Sequence, residues 1–292
     1  MTQTMINKRT IRQKLASYKR KPGSLLLLVL VSLSALITAA LVISLVVYIL
    51  VKGIPNLNAG LFAWEYNTEN SSMMPALINT LIITLLSLLI AGPIGIFSAI
   101  YMTEYAKKGN KLVGVVRTTT ETLAGIPSIV YGLFGQLFFV LACGFDYSML
   151  AGALTMSIMV LPTIMRTTEE ALLSVPDAYR EGSFGLGAGR LRTVFRIVLP
   201  SAVPGILAGV ILSIGRIVGE TAALIYTSGT VAGIPKSLMG SARTLAVHMY
   251  ALLNEGLYME EAYATAVILL VLVVAINALS TFISRKITAK GG

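Results

Sequence analysis

Two residues of opposite charge, Arg216 and Glu220, lie one helical turn apart inside an apolar stretch that begins near Ser201. A charged side chain at the centre of a membrane helix costs about 2.5 to 3.5 kcal/mol on insertion scales, so such residues usually face a cavity, a partner helix or a pathway. Residues four apart in a helix can form an ion pair. The planar guanidinium of arginine stays charged and matches the oxygens of phosphate-like anions. The pattern indicates either an anion pathway, in which Glu220 holds Arg216 in position, or an ion pair that only joins helices.

Small residues share a helical face with this pair. Gly205, Gly209 and Ser213 precede Arg216 and Glu220 at intervals of three or four residues, so all five form one stripe. Small side chains allow helices to approach closely in a membrane. The stripe predicts that this helix packs tightly against another helix.

A second arginine, Arg166, ends a shorter apolar run. Thr155, Met159, Pro162 and Arg166 fall on one helical face. Arg166 either closes one end of a pathway or is an interfacial anchor whose long side chain extends toward water.

A polar stretch precedes another of the apolar runs. Thr118, Thr119, Thr120 and Ser128 either line a polar entrance or cap helices. Pro127 lies in the same stretch and has no backbone N–H, so we expect it to break or kink the entry to the run that follows.

The composition is that of an integral membrane protein. Of the 292 residues, 55% are hydrophobic and only 12% are charged, whereas soluble domains carry about 25% charged residues. A helix needs about 20 apolar residues to cross the roughly 30 Å hydrocarbon layer. We therefore predict an all-α polytopic protein with six transmembrane helices, at Ser24–Val51, Met73–Met102, Leu123–Phe145, Met149–Met165, Ser201–Thr227 and Ala262–Ser284.

The distribution of basic residues gives the topology. Of the 23 Lys and Arg residues, only Lys52, Lys236 and Arg243 fall on one side of the predicted membrane, and Arg216 falls within a span. Cytoplasmic loops carry the excess of basic residues, so both termini are predicted to be cytoplasmic. Topology thus accounts for the net charge of +10, and a nucleic-acid partner is not expected. Residues 1–23 are either an anchor that touches anionic membrane lipid or a partner-binding arm.

Several kinds of site are excluded or disfavoured. The chain has one cysteine, Cys143, and one histidine, His248, so an intrachain disulfide, a cysteine cluster and a His-rich metal site are excluded. We predict His248 to be an outside-loop residue without a special role. No phosphate-binding GxxxxGK[ST] sequence occurs, so any ATP chemistry must come from a partner. A membrane-embedded enzyme would place clustered nucleophiles, bases or metal ligands within the spans, and this pattern does not occur; we predict a non-catalytic protein.

The segment between the fourth and fifth spans predicts a protruding arm. A short helix is expected from about Asp177 to Phe184, followed by a break at Gly185, Gly187 and Gly189. A second short helix then carries an apolar face of Leu191, Val194, Phe195 and Val198. The arm is either a docking element or a helix pair that lies on lipid.

The spacing within this arm resembles the EAA motif of ABC importer permeases. Glu181, Gly187 and the sequence Ile197-Val198-Leu199-Pro200 keep the spacing of the motif, while Gly182 and Ser183 replace its two alanines. In that family the arm docks in a cleft of the ATPase. The resemblance implies that the coupling residues are Glu181, Gly182, Ser183, Gly187, Ile197, Leu199 and Pro200.

Three further stretches are similar to the phosphate importer permeases of the PstA type. They are Leu123-Ala124-Gly125-Ile126-Pro127-Ser128-Ile129-Val130, Arg166-Thr167-Thr168-Glu169-Glu170 and Gly215-Arg216-Ile217-Val218-Gly219-Glu220-Thr221-Ala222. The resemblance implies a type I ABC importer permease fold in a bacterial plasma membrane. It also implies a substrate pathway with Arg216, Glu220, Arg166 and Thr221.

The same resemblance implies the partners. They are a second related permease, two ATPase subunits that use ATP and Mg²⁺, and an external phosphate-binding protein; no cofactor is expected on this chain. Residues 1–72 would form the basic arm, first helix and outside segment, residues 73–285 the permease core with its arm at about 177–200, and residues 286–292 a cytoplasmic tail. The alternatives are a permease for molybdate or sulfate, and a channel that needs no ATPase.

Overall fold

The computed structural model describes residues 22–107, 109–256 and 258–290. The basic stretch before residue 22 and the last two residues of the predicted tail lie outside this part, so the predictions for them stay predictions. Every regular element in the described ranges is helical, which confirms the all-α prediction. The described part of the chain divides into two compact units, one that ends at Val51 and one that begins at Lys52.

Helix α1, Pro22–Gly53, accounts for the described part of the first unit. In the second unit, short 3-10 turns at Ile54–Asn56 and Ala59–Phe62 precede the remaining helices. These are α2 (Met74–Ile100, extended by a π-helical turn at Tyr101–Tyr105), α3 (Lys111–Ala124), α4 (Ser128–Gly135, extended by a π-helical segment at Gln136–Ala142), α5 (Met149–Leu173), α6 (Asp177–Gly185), α7 (Arg190–Thr193, extended by a π-helical turn at Val194–Val198), α8 (Leu199–Val218), α9 (Ala222–Ile225), α10 (Leu245–Glu255) and α11 (Met259–Lys290).

Five of the described helices are long and apolar enough to cross a membrane, and a bent pair makes a sixth if it forms one span. The bent pair is α3 with α4, whose axes differ by 105°. Pro127 lies at this bend, which confirms the predicted break. The five straight candidates are Gly23–Asn56, Met74–Tyr105, Met149–Leu173, Arg190–Val218 and Met259–Phe282.

Helix α5 is the centre of the second unit, and most of its apolar segment is buried. It packs against α2 and α8. On α8, Gly205 lies against Ala171 and Gly209 lies against Thr167 of α5, which confirms that the small-residue stripe is a helix-packing face. Buried apolar residues from α2, α4, α5, α8 and α9 form the main core around Ile83, Tyr131, Met156, Met159, Ile164, Ile217 and Leu224.

The segment between α1 and α2 packs within the second unit. Leu61 and Met73 are fully buried in a cluster with Leu245 of α10 and Ala264 of α11. The Asn79 side chain of α2 donates hydrogen bonds to the carbonyl oxygens of Gly233 (2.8 Å) and Arg243 (3.2 Å), which fixes the long loop before α10.

His248 has a structural role that its sequence context did not predict. The imidazole is fully buried, its Nε2 lies 3.3 Å from the carbonyl oxygen of Ser71, and its ring meets Tyr66 edge-on. Burial lowers the pKa of His248 to about 3, and the positive charge of Arg243 adds to this effect. The guanidinium of Arg243 lies 4.4 Å from the centre of the Tyr66 ring, a cation–π arrangement. His248 is therefore a neutral packing residue rather than an ordinary loop residue.

Candidate functional site

A cavity of about 520 Å³ lies between α3, α5 and α8. Arg166 from α5 and Arg216 from α8, which the sequence analysis identified separately, line this same cavity. Of the four polar residues predicted to form an entrance, Thr120 is among its lining residues. The charged lining residues are Arg117, Glu121, Arg166, Glu169, Glu170 and Arg216.

The carboxylates in this cavity are not shared equally among the arginines. Arg117 forms an ion pair with Glu169. Arg166 donates from Nε to Glu170 Oε1 at 3.0 Å. Within residues 22–107, 109–256 and 258–290, Arg216 takes part in no ion pair. Arg216 is thus the cavity guanidinium whose charge no neighbouring carboxylate neutralises directly.

The predicted ion pair between Arg216 and Glu220 does not form. Helix α8 ends at Val218 instead of continuing through the predicted span to Thr227, so position 220 is no longer one turn above position 216 on a helix. Glu220 is buried, and its Oε1 accepts a hydrogen bond from the backbone N–H of Ala223 at 3.1 Å. The carboxylate caps the start of the short helix α9 rather than holding Arg216.

Neither Glu220 nor Thr221 is among the residues that line the cavity. Thr221 is half-buried and directly precedes α9. Arg166, by contrast, both lines the cavity and has a side chain that is 65% exposed. The structure therefore brings Arg166 and Arg216 together and places Glu220 and Thr221 elsewhere.

The predicted arm is present. Helix α6 ends at Gly185, and Gly187 adopts a left-handed backbone conformation with φ of 81°, which a residue with a side chain rarely adopts. The chain then enters α7, whose helix continues without a break through α8 to Val218. One helix consequently runs from the arm to the cavity, because Arg216 lies in its last turn.

The predicted coupling residues divide into an exposed and an internal group. Ser183 is buried, and its hydroxyl lies 2.8 Å from that of Thr193, which joins the two limbs of the arm. Ile197 and Leu199 are half-buried. The exposed residues on the arm include Glu181, Gly182, Phe184, Gly187, Leu191 and Pro200, with Leu186 the most exposed at 91%.

Of the predicted apolar face on the second limb, Val194 and Val198 are buried, whereas Leu191 and Phe195 are exposed. The arm thus has one apolar side packed on the protein and another that is open. A further cavity of about 300 Å³ lies at the elbow between Ser183, Leu186 and Ile197.

Sequence patterns did not identify Arg117, Glu169, Glu104 or Arg180 as interacting residues. Arg117 pairs with Glu169 across two helices, and Arg180 pairs with Glu104, which is 76 residues away. Long-range ion pairs of this kind have no periodic signal. The only indication was that acidic residues lie at the ends of apolar runs.

A family model described as "binding-protein-dependent transport system inner membrane component" matches residues 91–289. The chain belongs to this permease family. The permease is 35% identical over 284 residues to the probable ABC transporter permease protein YqgI of Bacillus subtilis, an alignment that covers 88% of this chain and 95% of that protein. It is also 35% identical over 205 residues to the phosphate transport system permease protein PstA of Mycobacterium leprae, covering 69% and 67% of the two chains.

Solved structures share the fold of the permease. One is an inward-facing MetNI methionine ABC transporter, with a TM-score of 0.59, 22% identity, and 74% of this chain and 94% of that chain covered. A second is a bacterial ABC transporter that imports the polysaccharide alginate, with a TM-score of 0.58, 18% identity, and coverage of 86% and 96%. These similarities confirm the type I ABC importer permease fold. Permeases of this family are non-catalytic, multi-pass membrane subunits that work with an ATPase and a binding protein.

Proposed function

We propose that this permease forms half of the translocation pathway of an ATP-driven phosphate importer. The observation that carries the proposal is that Arg166 and Arg216 line one cavity, in which Arg216 has no carboxylate partner among the described residues. A planar guanidinium presents N–H groups that match two oxygens of a tetrahedral oxyanion. The similarity to permeases named for phosphate transport supports phosphate as the anion.

The charge balance of the cavity supports an anion that is held only briefly. Three arginines and three glutamates line it, and two of the arginines already have carboxylate partners. An anion that displaced Glu170 from Arg166 would be held between Arg166 and Arg216. Conduction requires binding that is strong enough for entry and weak enough for release. Because Glu170 competes with the anion for Arg166, the anion can enter the cavity and is still bound weakly enough to leave.

The proposal includes the partners and the orientation. A second, related permease forms the other half of the pathway and supplies further positive charge for a dianion. Two ATPase subunits use ATP and Mg²⁺ on the cytoplasmic side, where the arm at residues 177–200 docks, and an external phosphate-binding protein delivers the substrate. Both termini are cytoplasmic in a bacterial plasma membrane, and this chain binds no cofactor. Glu220 and Thr221, which do not line this cavity, stay predicted pathway residues.

The movement of the arm reaches the cavity along one continuous helix. ATP binding draws the two ATPase subunits together, and their docking clefts move the arms. Because α7 and α8 form one helix, displacement at Arg190 is carried along that helix to Arg216. The cavity then opens alternately to the two sides of the membrane. Such coupling requires two discrete arrangements of the permease, and the ATPase site and the cavity must both shift the equilibrium between them.

Phosphate uptake tests this function. Cells that lack the chain are complemented with the intact permease, with Arg216→Gln or with Lys236→Gln, and uptake of labelled phosphate is measured at low external phosphate. Lys236 is an exposed basic residue that does not line the cavity, so it controls for the loss of one charge. We expect the intact permease and Lys236→Gln to restore uptake, and Arg216→Gln to lower it at least tenfold at equal amounts in the membrane.

Competition with unlabelled anions identifies the substrate. Excess phosphate should abolish labelled uptake, and excess sulfate or molybdate should leave it unchanged. Restoration of sulfate or molybdate uptake without phosphate uptake would establish the alternative oxyanion function. Normal phosphate uptake by Arg216→Gln would show that Arg216 lies outside the pathway.

A further inference from the structure

The side chain of Arg180 is mostly buried and uses all of its N–H groups in one junction. Its Nε donates to Glu104 Oε1 at 3.2 Å, and its Nη2 donates to the same oxygen at 2.7 Å and to the carbonyl oxygen of Leu172 at 2.9 Å. Its Nη1 donates to the carbonyl oxygen of Val175 at 2.8 Å and to Asp177 Oδ1 at 3.2 Å. A guanidinium has five N–H donors in a fixed plane, so each of them has an acceptor here.

Three helices meet at this guanidinium. Glu104 lies in the π-helical turn that ends α2, and Leu172 and Val175 mark the end of α5. Arg180 itself belongs to α6 and directly precedes the predicted coupling residue Glu181. The side chains of Arg180 and Glu104 are only 16% and 9% exposed. A buried charged pair that loses one member leaves the other uncompensated, so this junction resists separation.

The two limbs of the arm are joined to each other and to the helix ends beside the junction. The Ser183 and Thr193 hydroxyls join its two limbs at 2.8 Å. Val194 and Val198 of the second limb pack in one buried cluster with Leu172 and Val175. The hydrogen bond to Glu104 raises the pKa of Arg180 above its ordinary value, so its charge persists at all physiological pH values. Polar and apolar contacts therefore link the arm to the ends of α2 and α5.

Helix α5 leads from this junction straight into the cavity. Glu169 and Glu170 lie less than one helical turn before Leu172, and they are the carboxylates that pair with Arg117 and Arg166. A displacement of Arg180 thus acts on the helix that sets the charge balance of the cavity. This route is separate from the continuous α7–α8 helix.

We propose that Arg180 is a positioning residue that couples the arm to α2 and α5, so that movement of α6 is delivered to the cavity-lining helix. The proposal rests on the proposed function, in which the arm receives the movement of an ATPase. It assigns Arg180 to transmission within the permease, rather than to contact with the ATPase, because its guanidinium faces inward and has no free donor. Loss of the Arg180 guanidinium should therefore uncouple transport from ATP hydrolysis without preventing assembly of the transporter.

The test uses the complete transporter, with its partner permease and ATPase subunits, reconstituted in liposomes. Transported labelled phosphate and hydrolysed ATP are both measured, with and without the phosphate-loaded binding protein. For Arg180→Gln we expect ATPase subunits to co-purify in normal amounts, phosphate transported per ATP to fall at least tenfold, and stimulation of hydrolysis by the binding protein to be lost.

Two further variants make the result specific. Asp177→Asn removes only the negative charge of the most exposed partner of Arg180 and leaves an acceptor oxygen in place, so it should keep the wild-type ratio. Arg180→Lys keeps the charge but carries its three donors on a single nitrogen, which cannot span Glu104 and the two carbonyl groups as the planar guanidinium does, so it should give an intermediate ratio. If Arg180→Gln cannot be isolated, the phosphate transported per ATP is measured for Arg180→Lys instead, and a wild-type value for that variant would also overturn the proposal. A wild-type ratio in the isolated variant, or loss of the ATPase subunits from it, would overturn the proposal.

A distance measurement separates this inference from the identity of the substrate. Spin labels at the exposed positions Leu173 and Leu191, in a Cys143→Ser background, report the separation of α5 and the arm. We expect a narrow distance distribution in the wild type and a broadened one in Arg180→Gln. Equal distributions would refute the linkage. Failure of the wild type to transport phosphate would refute the proposed function and leave this measurement valid.

Discussion

Gly209 of α8 lies so close to Thr167 of α5 that a β-carbon at position 209 would fall 1.8 Å from the threonine hydroxyl oxygen. Only glycine fits such an approach without displacement of one helix. Overpacking in a tight interior typically costs about 1 to 3 kcal/mol. We therefore expect Gly209→Ala to lower the free energy of unfolding by about that amount. Thermal unfolding of the purified permease in detergent measures the change.

Gly114 in α3 is the control, because a β-carbon at that position would have no atom within 4 Å and the next residue is not proline. Alanine is better than glycine inside a helix by about 1 kcal/mol, so Gly114→Ala should be neutral or stabilising. Equal destabilisation by the two substitutions would contradict the tight approach of α8 to α5.

The buried imidazole of His248 makes stability depend on pH. Its pKa of about 3 in the folded protein lies below the ordinary value of 6.5, so the unfolded chain binds a proton first as the pH falls. The contribution of neutral His248 to the free energy of unfolding is fully present above pH 6.5 and is lost as the pH falls below that value. The loss between pH 7.5 and pH 5.5 is about 1.4 kcal/mol. Unfolding temperatures at the two pH values should differ, and this difference should shrink in His248→Asn. An unchanged difference in the variant would show that other groups cause it.

Glu220 should act through hydrogen bonding rather than through its charge. Its Oε1 accepts from the backbone N–H of Ala223, and loss of a capping side chain costs about 0.5 to 2 kcal/mol. Glu220→Ala should therefore destabilise the permease, whereas Glu220→Gln keeps an acceptor oxygen and should lose less stability. Denaturation of the three proteins side by side provides the comparison. Equal losses would point instead to a requirement for the negative charge.

Removal of the Glu170 carboxylate should strengthen anion retention in the cavity. Glu170→Gln leaves Arg166 without its ion-pair partner. Exposed ion pairs are weak, so the phosphate concentration at half-maximal uptake should fall only modestly. The maximal rate should fall as well, because release slows. Glu255→Gln, an exposed carboxylate beyond the cavity, should change neither quantity; a raised half-maximal concentration in Glu170→Gln would contradict the prediction.

The sequence predicts those parts of the fold that depend on local patterns. Apolar length identifies the spans, Pro127 marks the bend between α3 and α4, and the stripe through Gly205 and Gly209 marks the face toward α5. The glycines after residue 184 likewise predict the elbow of the arm. Each of these follows from residues within a few turns of one another.

The candidate site was predictable only in part, because its remaining features depend on tertiary packing. The end of α8 at Val218 is followed by α9, which fits against α4 where Gly132 lies beside Ala223. The sequence stays apolar across this interruption, so it predicted one continuous helix with Arg216 and Glu220 one turn apart. The junction of Arg180 with Glu104 links positions 76 residues apart, which no periodicity reveals.

The bend at Pro127 also constrains how the permease is made. Ser128–Ala142 is a helix that extends only roughly 22 Å at 1.5 Å per residue, less than the roughly 30 Å hydrocarbon layer. The Tyr131 hydroxyl donates to the carbonyl oxygen of Leu123 at 2.7 Å, so a backbone acceptor before the bend is satisfied by the protein itself. Such a half-span does not cross the layer by itself, so its ends depend on cover from the rest of the protein. Since α4 packs against α5, we expect the two helices to enter the bilayer together.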